Sequence, residues 1–162
     1  MSFVLRPALA PVQASMLTLV AGMAVVSGIR QAVGLESMIK WPNDAVVRGK
    51  KICGILTEMS TEEDSIRHVV VGIGINVNTK DFPEELAPTA TSLSLELGRP
   101  LKRAPVIAAV AEQFETYYGR FLKKGDMTEL MEEYNRMLAN RDREVCVLDP
   151  AGTYRGTALG ID

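Results

Sequence analysis

The sequence predicts an α+β fold, and three observations carry the prediction. Residues 7–29 hold no charged side chain and repeat apolar residues at helical spacing. Between Met38 and Asn78 the pattern changes to short β-type runs joined by turn residues. Beyond Val106 helical spacing returns, and the chain closes on a second β pattern. With 162 residues, 47% of them hydrophobic and 23% charged, there is enough chain for one sizeable core.

Taken in order, Ser2-Phe3-Val4-Leu5 is a short apolar strand stopped by Arg6-Pro7. A helix is expected from about Val12 to Val33, with Met16, Leu19, Val20, Met23, Val26, Ile29 and Val33 on one broad face and Gly34 as its stop. Its length raises the question of a membrane span. Pro7, Pro11, Gln13, Ser15, Thr18, Gly22 and Ser27 leave it only moderately apolar, and a lone Arg6 makes a poor signal-peptide start, so a core helix is expected. Met38 to Lys40 is a strand that runs into the corner Trp41-Pro42-Asn43-Asp44. Ala45-Val46-Val47 then leads through a turn at Arg48-Gly49-Lys50 to a return strand, Ile52 to Met59. A polar connection, Thr61 to Ser65, precedes a long strand from His68 to Asn78. The stretch from Thr79 to Thr91 holds Pro83, Pro88 and Glu84-Glu85 and reads as a loop with at most one helical turn. Val106, Val110, Phe114, Tyr117 and Phe121 mark a helix ending near Gly125. Asp126 and Glu129 have capping-box spacing ahead of Leu130, Met131, Tyr134 and Leu138, which predicts a further helix. From about Arg141 a hairpin is expected, with strands at Glu144–Leu148 and Thr153–Leu159 and a turn at Asp149-Pro150-Ala151-Gly152. Two domains follow from this pattern: residues 1–140, and the start of a small β domain at 141–162.

Composition narrows the function. The formal net charge is −2 and no basic block alternates with aromatics, so nucleic acid is not a partner of this segment. Two cysteines, Cys53 and Cys146, and one histidine, His68, offer neither a disulfide framework nor a metal cage. Cys53 lies in an apolar run and reads as a small buried hydrophobe in a reduced, cytoplasmic protein.

The strongest chemical signal is Lys40-Trp41-Pro42-Asn43-Asp44. Proline fixes one backbone angle and Asn and Asp favour a turn, so a lysine at the strand end sits on a defined corner. These five residues alone fit either a solvated corner or a cation facing an anion. In the strand His68 to Asn78, Val69, Val71, Ile73, Ile75 and Val77 alternate with Val70, Gly72, Gly74, Asn76 and Asn78. One face is core and the other is stripped of side chains, as a close ligand or a closely packed helix would require. Asn76 on that bare face offers a donor and an acceptor suited to a purine edge. On the preceding strand Ile52, Gly54, Leu56 and Glu58 share a face, so Gly54 leaves a second gap. Glu58 either orients a donor or lies at a solvated strand end. Gly72-Ile73-Gly74 lacks the third glycine and following helix of a dinucleotide loop.

With Lys40-Trp41-Pro42-Asn43-Asp44, Lys51-Ile52-Cys53-Gly54-Ile55-Leu56-Thr57-Glu58 and Gly72-Ile73-Gly74-Ile75-Asn76-Val77 in this order and spacing, the chain closely resembles the biotin protein ligases. The resemblance implies a mixed, largely antiparallel sheet with packed helices, related to class II aminoacyl-tRNA synthetases, followed by the start of an SH3-like domain. It implies activation of biotin by ATP with Mg²⁺ to biotinyl-5′-AMP, then transfer to a lysine of a biotin carboxyl carrier domain, and it allows a homodimer. Lys40 matches the essential lysine; Gly54, Gly72 and Gly74 match backbone lining the cleft; Asn76 matches a residue near adenine. Trp41, Pro42, Asn43, Asp44 and Glu58 read as scaffold, and no metal ligands are assigned. The segment Thr79–Thr91 corresponds to one that orders over the adenylate.

One departure matters. The family's Ser/Thr biotin contact and Gly-Arg-Gly-x-x-Gly-Arg loop do not occur here, and neither Gly98-Arg99 nor Gly119-Arg120 reproduces that loop. A fragment with little ligase activity by itself is therefore expected. A non-catalytic adenylate-binding or dimerisation module is one alternative, and a lipoate-type acyltransferase is another, although Trp-Pro-Asn-Asp argues against the second.

Overall fold

The computed structural model describes residues 1–62, 65–149 and 151–162. Its elements are β1 (Ser2–Leu5), α1 (Pro11–Ala14), α2 (Leu17–Val33), β2 (Met38–Lys40), β3 (Asp44–Val47), β4 (Lys50–Glu62), β5 (Ser65–Ile75), α3 (Leu93–Leu97), α4 (Arg103–Lys124), α5 (Met131–Met137), β6 (Glu144–Asp149) and β7 (Gly152–Thr157). Five strands form one sheet in the order β1-β5-β4-β3-β2, and β6 pairs with β7 separately. All named strand pairs are antiparallel. Among the described residues, parallel pairing is confined to two isolated bridges, Ile39 with Leu138 and Lys51 with Ala90. The fold is α+β, as expected.

Alternation in β4 and β5 decides where the core lies. Ile55, Val69, Val71 and Ile73 are buried beneath the helices, and on β1 Phe3 stacks on Phe114 of α4 with ring centroids 4.4 Å apart. Each fully buried aliphatic side chain of this kind contributes about 1.5–3 kcal/mol. Helix α4 buries the Val106, Val110, Phe114, Tyr117 and Phe121 stripe and stops at Gly125, whose φ of 72° is left-handed. Helix α2 goes further than one face, because every residue from Val20 to Ile29 is buried between the sheet and the other helices. The segment Pro11–Val33 is long and apolar enough to cross a membrane, yet 67% of its most apolar window is buried inside the fold. It is a core helix.

Several elements differ from expectation. The first helix is broken at Ser15-Met16, where Ser15 turns its hydroxyl onto the Val12 carbonyl and separates α1 from α2. The long strand ends at Ile75, because Asn76 and Val77 give their carbonyls to the backbone of Leu93 and Ser94 at the start of α3. That helix was not expected, although Ser92 caps it through Leu95 N–H and Gly98 closes it in a left-handed conformation. Asp126 does not open a helix; its carboxylate accepts from Thr128 N–H in a tight turn and α5 begins only at Met131. Strands β4 and β5 extend into the expected polar connection, of which Glu63 and Asp64 lie outside the described residues, as does Pro150 of the last expected turn.

Candidate active site

The corner after β2 is pinned to the sheet rather than left in solvent. Asn43 donates its side-chain amide to the Ile55 carbonyl at 3.0 Å and accepts the Ile55 N–H on its own carbonyl at 2.9 Å. The Trp41–Pro42 peptide is cis, and both residues are exposed. Arg48 (φ 50°) and Gly49 (φ 81°) make the two-residue β3–β4 turn, both left-handed as such a turn requires. Backbone register then places the key residues. Lys40 pairs with Asp44, Asp44 with Gly54, and Gly54 with Gly74. Directly paired residues project from the same face, so these four form one row across β2, β3, β4 and β5. At about 4.8 Å per strand the row spans roughly 14 Å. One step along the sheet, Leu56 pairs with Gly72 and Gly72 with Ser2.

This face is opposite the helices. A side chain built at Gly72 would meet only the Leu56 carbonyl, at 3.5 Å, and one at Gly74 only the Gly54 carbonyl, at 3.8 Å. Both neighbours belong to the sheet itself, so close helix packing does not account for these glycines. They leave a shallow groove of about 480 Å³, with Asn43, Lys51, Leu56 and Met1 on its rim. Lys40 lines a second, larger cleft of about 1100 Å³ that continues toward Arg143 and Glu144 at the start of β6.

Asn76 lies just past β5. Its N–H donates to the Ile52 carbonyl at 2.8 Å and its side-chain amide to the Thr91 carbonyl at 3.2 Å, which ties the end of the glycine strip to the loop after it. That loop is also joined to β4: Lys51 N–H donates to Thr89, and Thr91 N–H to Lys51. Glu58 is exposed and pairs across the sheet with Val70, two residues along from Leu56.

One sequence expectation on this face is overturned. Ile52 does not share the face of Gly54; it is fully buried, as is its neighbour Cys53 at 1% exposure. The register shifts between Ala45 and Val46, so that Cys53 pairs with Ala45 but Lys51 with Val46. Ile52 is the extra residue of a β-bulge, and simple alternation fails there. No local sequence signal marks this bulge.

Cys53 is buried and free of any disulfide. Burial, followed by the nearby Asp44 carboxylate, pushes its thiol up to about 12. Iodoacetamide at pH about 8 is therefore expected to modify the exposed Cys146 in the folded chain and to reach Cys53 only after unfolding in urea. Mass mapping of the alkylated peptides checks this, and equal labelling of both cysteines under native conditions would contradict the burial argument.

Comparison with known proteins agrees with this geometry. The model of the biotin/lipoate A/B protein ligase family matches residues 1–76. The bifunctional ligase/repressor BirA of Bacillus subtilis is 45% identical over 166 residues, covering 100% of this chain and 50% of the relative. A biotin–[acetyl-CoA-carboxylase] ligase of Mycobacterium tuberculosis is 44% identical over 92 residues, covering 54% of this chain and 32% of that protein. Among solved structures, the biotin protein ligase from Aquifex aeolicus in complex with biotin and ATP superposes with a TM-score of 0.85 at 29% identity, over 99% of this chain and 66% of that one. This chain spans half or less of the length of these curated relatives. Sequence and fold together show that the chain belongs to the biotin protein ligase family.

Proposed function

We propose that the glycine-bare face, with Lys40 at the end of its row, is the adenylate cleft of an ATP-dependent biotin ligase. The observation that carries this is the register Lys40–Asp44–Gly54–Gly74, which sets an ammonium group at one end of a strip of accessible backbone. A strip without side chains admits a flat ligand against the sheet, and its lysine holds two anions in contact. Attack of the biotin carboxylate on the α-phosphate of ATP gives biotinyl-5′-AMP and pyrophosphate. A lysine amine of a biotin carboxyl carrier domain then takes the biotinyl group and releases AMP. In the first step both reactants are negative, so a fixed cation between them lowers the barrier by reducing repulsion and by stabilising the charge that develops. Gly54, Gly72 and Gly74 line the cleft in this reading, Asn76 stands at the adenine end, and Trp41, Pro42, Asn43 and Asp44 hold Lys40 in place. Among the described residues no three His, Cys, Asp or Glu side chains cluster as a metal cage. Mg²⁺ would accordingly enter on the ATP phosphates, which commonly supply its ligands. A cytoplasmic location suits both the ATP requirement and the free cysteines.

Calorimetry of the chain with biotinyl-5′-AMP and with lipoyl-5′-AMP tests the reading. Selective binding of the biotinyl compound is expected, and binding of neither would sink it. Incubation with ATP, biotin and a carrier domain measures turnover separately. Weak biotinylation is expected, and robust turnover would overturn the expectation of low activity while strengthening the ligase assignment.

A further inference from the structure

We propose that Lys51 is a second anion-contacting residue of the same cleft, delivered there by the β-bulge at Ile52; this rests on the adenylate reading above. Uninterrupted alternation along β4 would put Lys51 on the side of Cys53 and Ile55, inside the core. The bulge inserts one residue, pairs Lys51 with Val46, and so turns its side chain to the glycine-bare face. There the side chain lies across the groove. A side chain built at Gly54 would meet Lys51 Cε at 3.2 Å and Nζ at 3.3 Å. Lys51 Nζ rests 2.5 Å from Asp44 Oδ1, with the lysine side chain 47% exposed and that of Asp44 20% exposed.

Asp44 is thereby flanked on both sides: Lys40 is its cross-strand partner on β2, and Lys51 is its ion-pair partner from β4. Lys51 holds the Asp44 carboxylate and Lys40 stands in register beside it on the neighbouring strand, so the row carries a formal charge of +1 that an entering anion would balance. The backbone of Lys51 is held on both sides, its N–H donating to the Thr89 carbonyl and its carbonyl accepting from the Thr91 N–H, so its Cα is fixed while the head is half in solvent. An anchored backbone with an ammonium that is held by Asp44 and half open to solvent suits contact with a phosphate lying over Gly54 and Gly74. Gly54 is then small for two reasons, since it must pass both the ligand and the Lys51 side chain.

The measurement is the affinity of the chain for biotinyl-5′-AMP and, as an uncharged probe, adenosine. Lys51→Met is expected to weaken biotinyl-5′-AMP about tenfold, the scale of one charge-assisted contact, and to leave adenosine unchanged. Lys51→Arg should restore most of the loss, and the salt dependence of biotinyl-5′-AMP binding should be shallower in Lys51→Met than in the unaltered chain. If Lys51→Met binds biotinyl-5′-AMP as the unaltered chain does, or loses affinity for both ligands equally, Lys51 serves only as the structural partner of Asp44 and the inference fails. If the unaltered chain binds no biotinyl-5′-AMP, the adenylate reading fails with it.

Discussion

Lys40→Met is expected to slow adenylate formation by about 10²-fold without unfolding the chain. The side chain is exposed at the end of β2, so truncating its charge removes no core packing. On the proposed reading what is lost is a donor aimed at the place where two anions meet, and losses of this kind cost about 3 kcal/mol in the barrier. The ratio of single-turnover rates for biotinyl-5′-AMP formation from biotin and ATP isolates the effect, because it is independent of how slow the unaltered chain is. Lys40→Arg is informative beside it. A guanidinium keeps the charge but changes length and hydrogen-bond geometry, so partial recovery is expected. Equal rates for Lys40→Met and the unaltered chain would remove Lys40 from the site.

Gly28→Val is expected to destabilise the fold by about 3 kcal/mol or more, read as a fall in the urea midpoint at constant slope. The cause is a contact between two helices. At Gly28 helix α2 approaches α4 so closely that an added Cβ would lie 2.6 Å from Val110 Cα and 2.7 Å from Val110 N. Backbone atoms cannot rotate out of the way, so α2 and α4 must separate and open the core around Val25, Ile29 and Phe114. Better helix propensity in place of glycine returns only a few tenths of a kcal/mol for a β-branched residue. An unchanged midpoint would show that the helices have room that their packing does not suggest. Because the sheet carries Lys40 and the glycine strip on its far face, this substitution also tests how far the site depends on the helix layer.

Much of the architecture was legible in the chain. The strict alternation from Val69 to Ile75 reports one buried and one bare face, and Val106, Val110, Phe114, Tyr117 and Phe121 report a single helix stripe; both patterns are periodic over many residues, and burial obeys them. The residues of the lysine corner and the glycine strip were equally visible, because glycine in a strand and proline in a corner are locally costly choices that point to a reason. Less visible were features of short range. The five-residue helix α3 has a capping serine and a closing glycine but too little length for periodicity. Asp126 and Glu129 have the spacing of a capping box, yet Asp126 is spent on the turn at Thr128.

The sequence by itself determined which residues are apolar, which are bare and which carry charge, and thereby the α+β class and the family. Only the tertiary structure decided the register. Cross-strand pairing brings Lys40, Asp44, Gly54 and Gly74 into one row from three separate motifs, and it depends on hydrogen bonds between distant segments that no local pattern encodes. The bulge at Ile52 is the clearest case. One inserted residue reverses the facing of everything before it, sending Ile52 into the core and Lys51 out over the cleft, because a strand has a period of two and a shift of one exchanges its faces.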